Sequence, residues 1–144
     1  MAGNAESHAA ASQVGMLDTS TLIWSGRLDG SLLPPRILIS AITLAELGVG
    51  PLVANSAEER SVRQAHLQLA EQVEVLPFDD RCARTFSPIA ARLRHAGRRR
   101  KARAYDTLIA ATAIANGLPL YTGNPGDFDG IPALDLRTVP APRA

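Results

Sequence analysis

The sequence predicts an α/β fold in which a mostly parallel sheet of four to five strands is flanked by helices on both faces. Two observations carry this prediction. Short apolar runs alternate along the chain with longer helix-compatible segments, an order typical of strands joined by helical crossovers. Hydrophobic residues make up 46% and charged residues 20% of 144 residues, which supplies one core and argues against a disordered chain.

The first half of the chain contains two expected strand-to-helix junctions, each marked by a polar residue. Asp18 ends the first apolar run, and the short hydroxyl side chains after it are common at helix starts. Ser40 ends the second run and is the expected cap of the helix that follows. The expected elements of this half are a strand at 14–17, a helix from Thr19 to Leu28, a strand at 36–40, and helices at 42–53 and 56–72.

The second half repeats the alternation and ends in a strand at the sheet edge. Pro88 is expected to kink or interrupt its helix, because proline removes a backbone hydrogen bond. Asn116-Gly117 is a typical helix stop. The expected elements are a strand at 73–76, a helix from Asp79 or Asp80 to about His95, a helix at 104–116, a strand at 118–122 and an edge strand within 134–139.

The chain is expected to form one domain over residues 14–144 after a flexible tail at 1–13. An apolar stretch of about twenty residues is missing, so no membrane span is expected. The N-terminus does not resemble a secretory signal, and the single cysteine, Cys82, suits a reducing compartment. These features predict a cytoplasmic protein.

Four carboxylates occupy positions that point to chemistry. Asp18 ends a strand, Glu46 and Asp106 lie in apolar helical contexts, and Asp127 follows the strand ending near Thr122. Each acid alone is more simply a cap, a turn residue or half of an ion pair. Together, at the edge where parallel strands end, they favour a shared site, and clustered carboxylates need a cation such as Mg²⁺ or Mn²⁺. Such an ion suits phosphate chemistry.

Four sequence blocks resemble the PIN-domain ribonucleases of the VapC toxin type. They are MLDTSTLI at 16–23, AEL at 45–47, YDTLIAATA at 105–113 and LYTGNPGDF at 120–128. The resemblance implies a PIN-like fold and a magnesium-dependent endoribonuclease, with Mn²⁺ as a second possible metal. It also implies inhibition of translation and growth, control by a cognate antitoxin protein, and a homodimer.

The same resemblance assigns the site residue by residue. Asp18, Glu46 and Asp106 match the family's first three acidic positions, and Asp127 matches the more variable fourth. Thr122 and Asn124 match polar positions that orient the fourth acid or contact phosphate. Gly123 and Pro125-Gly126 make this last loop small and turn-prone.

A basic run precedes the helix that carries Asp106. Net charge is only +1, so an electrostatic role depends on such local clusters. A solvated loop is the simplest interpretation, but beside a phosphodiester-cleaving site the run is an equally good RNA contact, because arginine offers forked donors to phosphate. The candidate RNA-binding residues are Arg98, Arg99, Arg100 and Arg103.

Two other functions remain open from the sequence alone. A noncatalytic PIN-like domain would bind RNA or protein through the same surfaces, although the four intact acids favour catalysis. A phosphoacceptor signalling domain also gathers acids on an α/β sheet, but it needs a lysine at a late strand end. The only lysine, Lys101, lies in the arginine run instead.

Overall fold

A computed structural model describes residues 13–97 and 102–142, with the backbone only at 102 and 103. These residues form one five-stranded sheet in which every neighbouring pair is parallel. In chain order the strands are β1 (Val14–Leu17), β2 (Arg36–Ser40), β3 (Glu74–Leu76), β4 (Leu120–Thr122) and β5 (Leu136–Thr138). Their order across the sheet is β3-β2-β1-β4-β5, so β1 is central. The predicted α/β class is confirmed.

The helices lie on both faces of the sheet, in agreement with the prediction. Adjacent residues of a strand point to opposite faces. Met16, Leu38 and Leu120 therefore pack in one core cluster, and their neighbours Leu17, Ile39 and Tyr121 pack in the other. The described helices are α1 (Thr19–Trp24), α2 (Ala41–Leu52), α3 (Ala57–Glu71), α4 (Asp80–His95) and α5 (Ala102–Ala115).

Each core cluster identifies the helices that cover its face. The Met16 cluster contains Leu93 of α4 and Ile109 of α5. The Leu17 cluster contains Leu22 of α1, together with α2 and α3 residues. The helices α1 and α2, which follow β1 and β2, therefore share one face of the sheet.

Local capping explains where several elements begin and end. Ser40 Oγ accepts the Ile42 N–H at 3.1 Å, which confirms the expected cap of α2. Asp79 caps α4 by accepting the Cys82 N–H at 3.0 Å. After α5, Gly117 adopts a left-handed conformation with φ of 64°, as the predicted stop requires.

Besides shifts of one or two residues at element ends, three features differ from the sequence prediction. Helix α1 ends at Trp24, not Leu28, because Ser25 Oγ donates to the Leu22 carbonyl and the chain tightens into a 3₁₀ turn. Pro88 lies inside a continuous α4. The strand expected at 118–122 begins at Leu120, although the Pro119 carbonyl still accepts the Met16 N–H at 2.9 Å. Among the described residues, no helix is both long and apolar enough to cross a membrane.

Candidate active site

The carboxyl ends of three neighbouring strands bring the candidate residues to one edge of the sheet. Asp18 directly follows β1, and Ser40 ends β2 and starts the helix that carries Glu46. Thr122 ends β4 and leads into the loop with Asn124 and Asp127. Because the strands are parallel, these three ends meet although the residues are far apart in sequence.

Asp18 is the buried centre of this edge, with a relative exposure of 3%. Its Oδ1 accepts the Thr21 N–H at 3.1 Å and its Oδ2 accepts the Thr122 hydroxyl at 2.7 Å. Burial raises the pKa of Asp18, and the hydrogen bonds from Thr21 and Thr122 offset only part of that rise. Asp18 also caps α1, so one carboxylate joins β1, α1 and β4.

Glu46 is a half-buried carboxylate on α2. Its Oε1 accepts the Thr19 hydroxyl at 2.8 Å, and Thr19 Oγ1 lies 3.1 Å from Thr43 Oγ1. Burial raises the pKa of Glu46, and the nearby charge of Asp18 raises it further. The two carboxylates are therefore close enough to repel each other.

The loop after β4 is attached to α1 by polar contacts. Thr122 Oγ1, which donates to Asp18, also accepts the Asn124 N–H at 2.9 Å. Asn124 Nδ2 donates to Ser20 Oγ at 3.0 Å. Asp127 is exposed in the 3₁₀ helix Pro125–Phe128, and its negative charge contributes to the raised pKa of Asp18.

Asp106 lies in the first turns of α5 and is half-buried. Its neighbour Tyr105 lines a cavity of about 220 Å³ together with Glu46, Ala45 and Val49. Helix α5 therefore reaches the Glu46 side of the edge.

The structure places two of the other predicted carboxylates, Glu46 and Asp127, beside Asp18. Electrostatic coupling joins Asp18 to Glu46 and to Asp127. Within residues 13–97 and 102–142, no three Asp, Glu, His or Cys side chains converge as a metal-binding group. Arg98, Arg99 and Arg100, and the side chain of Arg103, lie outside the described residues.

The chemistry of this edge fits a small divalent cation. Asp18 is buried, and in the described part of the chain neither it nor Glu46 forms an ion pair with a basic side chain. A buried carboxylate that has only hydroxyl and amide partners keeps an unbalanced charge. Carboxylate oxygens are the ligands that Mg²⁺ and Mn²⁺ prefer.

Sequence reasoning missed the hydroxyl side chains that hold the carboxylates. Thr19, Ser20 and Thr21 each contact a different partner at the edge, and Thr43 extends the contact of Thr19. The run Asp-Thr-Ser-Thr signalled a helix start, but it carried no sign of which distant residues its hydroxyls would reach.

Comparisons with known proteins agree with this fold. The PIN domain family model matches residues 16–133. Ribonuclease VapC5 of Mycobacterium tuberculosis is 41% identical over 87% of this chain and 95% of that protein. The tRNA(fMet)-specific endonuclease VapC of Salmonella typhimurium is 32% identical over 85% of this chain and 95% of that protein.

A solved structure extends the agreement to three dimensions. The crystal structure of VapBC-5 from Mycobacterium tuberculosis, a member of the VapBC family of toxin-antitoxin systems, matches with a TM-score of 0.72 and 34% identity. The match covers 90% of this chain and 99% of that one. The chain therefore belongs to the PIN-domain family and, within it, to the VapC-type ribonucleases.

Proposed function

We propose that this chain is the toxin of a toxin-antitoxin pair and hydrolyses RNA internally at the acidic edge of its sheet. The observation that carries the proposal is Asp18, a buried carboxylate that has the charges of Glu46 and Asp127 beside it and no basic partner among the described residues. Such a cluster is costly to keep in a fold unless a cation binds there.

The residues proposed to hold the cation are Asp18, Glu46, Asp106 and Asp127. Mg²⁺ is the expected ion, with Mn²⁺ as a substitute. When bound, such an ion lowers the pKa of a water ligand and neutralises charge on phosphate oxygens.

The chain's own residues supply position and proton transfer. Thr21 and Thr122 hold both oxygens of Asp18, so the carboxylate cannot rotate freely. Glu46 uses Oε1 to accept from Thr19, and within the described residues its Oε2 accepts no hydrogen bond. We propose that Oε2 takes the proton of the attacking water as its oxygen bonds to phosphorus and the bond from phosphorus to the leaving oxygen breaks.

Binding of the RNA backbone is assigned to the arginine run. Seven of the fifteen basic residues lie between positions 92 and 103, a stretch that runs from the end of α4 to the start of α5, the helix that carries Asp106. Guanidinium groups pair with phosphate oxygens through two donors, which favours backbone contact over base recognition. The relatives named as ribonuclease and as tRNA-specific endonuclease support RNA as the substrate.

An antitoxin protein is the proposed partner. The likeness to a VapBC toxin-antitoxin structure supports it. The surface at the end of α2 is apolar and exposed, with Leu52 at 85% and Val53 at 58% exposure. Such a surface suits the apolar face of a partner helix. We further propose that the chain forms a homodimer and that it is located in the cytoplasm. Light scattering of the purified chain tests the first proposal, and fractionation of cells tests the second.

The decisive experiment is cleavage of a labelled RNA during Mg²⁺ titration. Asp18→Asn and Asp106→Asn are expected to lose at least about a hundredfold in kcat while keeping the circular dichroism spectrum. Asp29→Asn is the matched control, because Asp29 is an exposed cap of the 3₁₀ turn Gly30–Leu32. Full activity in both site variants contradicts the assignment. RNA binding without cleavage at any metal concentration identifies a noncatalytic member instead.

A further inference from the structure

Trp24 lies unusually close to Gly123 in the loop that follows β4. A Cβ added at Gly123 would lie 2.5 Å from Trp24 Cζ3 and 3.1 Å from Cε3. The first distance is shorter than real Cβ contacts allow. Among the glycines that the structure describes, Gly97, Gly117 and Gly130 have positive φ, and Gly123 does not. Glycine is therefore required at 123 for space, and its backbone conformation would accept alanine.

The glycine sits within a row of contacts between this loop and α1. The Gly123 N–H donates to Thr21 Oγ1 at 3.1 Å, and the same hydroxyl interacts with Asp18. The residue before it, Thr122, donates to Asp18, and the residue after it, Asn124, donates to Ser20. Three consecutive residues, the last of β4 and the first two of the loop, are thus fixed to α1 or to Asp18, which caps it.

The same loop carries Asp127. The Asp127 N–H donates to the Asn124 carbonyl at 3.0 Å, so Asn124, the residue after Gly123, is the N-cap of the 3₁₀ helix that presents this carboxylate. A displacement at 123 would shift the start of that turn relative to Asp18. The ring of Trp24 sets how closely the loop approaches α1.

We propose that the contact between Trp24 and Gly123 is a positioning device that sets the placement of Asp127 relative to Asp18, and through it the affinity for the divalent cation. The proposal rests on the proposed function, since it concerns the same site. Trp24 and Gly123 act here as positioning residues. The effects expected of the contact are therefore on metal affinity and on kcat.

The test compares two glycines of the same loop. Gly123→Ala places a methyl group against the Trp24 ring, whereas at Gly126 an added Cβ meets no atom within 4 Å and φ is not in the left-handed region. Mn²⁺ affinity is measured by electron paramagnetic resonance of the free ion. Gly123→Ala is expected to weaken Mn²⁺ binding and lower kcat by about tenfold or more, while Gly126→Ala matches the wild type.

A compensating change at Trp24 shows whether Gly123→Ala acts through its contact with the Trp24 ring or through a general disruption of the fold. Trp24→Leu removes the ring, so the double variant Trp24→Leu/Gly123→Ala is expected to recover most of the Mn²⁺ affinity that Gly123→Ala loses. Trp24 is the only tryptophan, so its emission reports the contact directly and is expected to shift in Gly123→Ala but not in Gly126→Ala.

The outcomes distinguish this proposal from the proposed function. Wild-type Mn²⁺ affinity in Gly123→Ala, or no recovery in the double variant, overturns the positioning role while the wild type still cleaves RNA. A wild type that neither binds Mn²⁺ nor cleaves RNA contradicts the proposed function itself. If Gly123→Ala does not fold, Trp24→Leu and the double variant carry the test, and a double variant that binds Mn²⁺ more weakly than Trp24→Leu overturns the proposal.

Discussion

Asp18 is the residue at which stability and activity oppose each other. Burial raises the pKa of its carboxyl, so the folded chain holds this proton more tightly than the unfolded chain does. The stabilising contribution of the protonated group is complete below the unfolded pKa and is lost as pH rises through the folded pKa. At neutral pH, without a cation, the ionised Asp18 therefore destabilises the fold. Glu46 shifts in the same direction, also chiefly because it is buried.

Replacing this carboxylate should stabilise the ion-free protein. Asp18→Asn is expected to raise the free energy of unfolding by about 1 kcal/mol at pH 7 in EDTA, because the buried charge is removed and the shape is kept. The gain in stability should disappear below about pH 4, where the Asp18 carboxyl is protonated in both the folded and the unfolded chain. Urea denaturation at the two pH values measures it.

A cation and a second aspartate provide the controls for that measurement. Adding Mg²⁺ should stabilise the wild type but not Asp18→Asn, since a ligand raises the stability of a folded protein only if the folded state binds it. Asp29→Asn should lose stability at pH 7, because hydrogen bonds from Ser31 lower the pKa of Asp29. A less stable Asp18→Asn at pH 7 contradicts the destabilising role of the buried charge.

Thr19 offers a second prediction at the residue scale. Its hydroxyl lowers the pKa of Glu46, so Thr19→Val should raise that pKa further without changing the size of the side chain. The acidic limb of the pH profile of kcat should move to higher pH, because Glu46 must be ionised to accept a proton. Cleavage rates between about pH 5 and 9 measure the limb. Thr85→Val, which removes a hydroxyl bonded within α4, should leave it in place.

Among the elements, α3 contributes stability away from the acidic edge. Ser56 Oγ accepts the Glu59 N–H at 3.0 Å, and Glu59 Oε2 accepts the Asn55 N–H at 3.1 Å, which together close the start of the helix. Arg63 pairs with Glu59 and donates to the Gly50 carbonyl at 3.0 Å. The start of α3 is thereby tied to the end of α2.

Removing the Ser56 cap should lower the stability of the protein without changing its activity. Ser56→Ala is expected to lower the free energy of unfolding by about 1 kcal/mol, because one N–H at the helix start loses its partner. kcat should be unchanged. Thermal denaturation and RNA cleavage are measured together, with Ser61→Ala in the exposed middle of the same helix as the control. A loss of kcat in Ser56→Ala would mean that α3 bears on the site after all.

The elements also show which features the sequence could predict. All five strands could be predicted from apolar runs and from the helix caps that follow or precede them. These patterns are visible in the sequence because they depend on residues that are neighbours in the chain. The first helix was overestimated since the bond from Ser25 to the Leu22 carbonyl competes with its last turn. Pro88 was expected to disturb α4, yet the helix continues through it, with Thr85 and Ser87 donating to carbonyls of the preceding turn.

The sequence indicated the candidate carboxylates of the site, but it did not indicate the residues that contact them. Four carboxylates stood out by their positions at element boundaries, and their proposed roles stay predictions. The bond from Thr122 to Asp18 spans 104 residues, and no local pattern encodes it. Gly123 was interpreted as a turn-former, whereas the structure shows that the Trp24 ring excludes a larger side chain there.

Across the whole molecule, a net charge of +1 conceals local differences in charge. The charges of Glu46 and Asp127 lie beside Asp18 at one edge of the sheet. Seven of the fifteen basic residues lie between positions 92 and 103. A run that binds an RNA backbone displaces counterions, which makes affinity depend on salt concentration.

Neutralising the run should reveal this dependence. Changing Arg98, Arg99 and Arg100 to Gln is expected to weaken RNA binding and to reduce the slope of log affinity against log salt by about 0.7 for each phosphate that is no longer neutralised. Fluorescence anisotropy with a noncleaving variant measures the slope. The same change at Arg60, Arg81 and Arg84 is the control, and equal slopes in both triple variants would identify the run as a solvated loop.

The strand order determines when the parts of the candidate site become available during synthesis on the ribosome. The central strand β1 is synthesised first, but its neighbour β4 and the Thr122 hydroxyl that holds Asp18 come 104 residues later. At ordinary rates of translation this is a delay of roughly 5–20 s. A nascent chain therefore carries Asp18 long before the Thr122 hydroxyl can hold it. We expect a chain truncated before Thr122 to lack RNA cleavage, so the order in which the strands emerge would keep the site incomplete during synthesis.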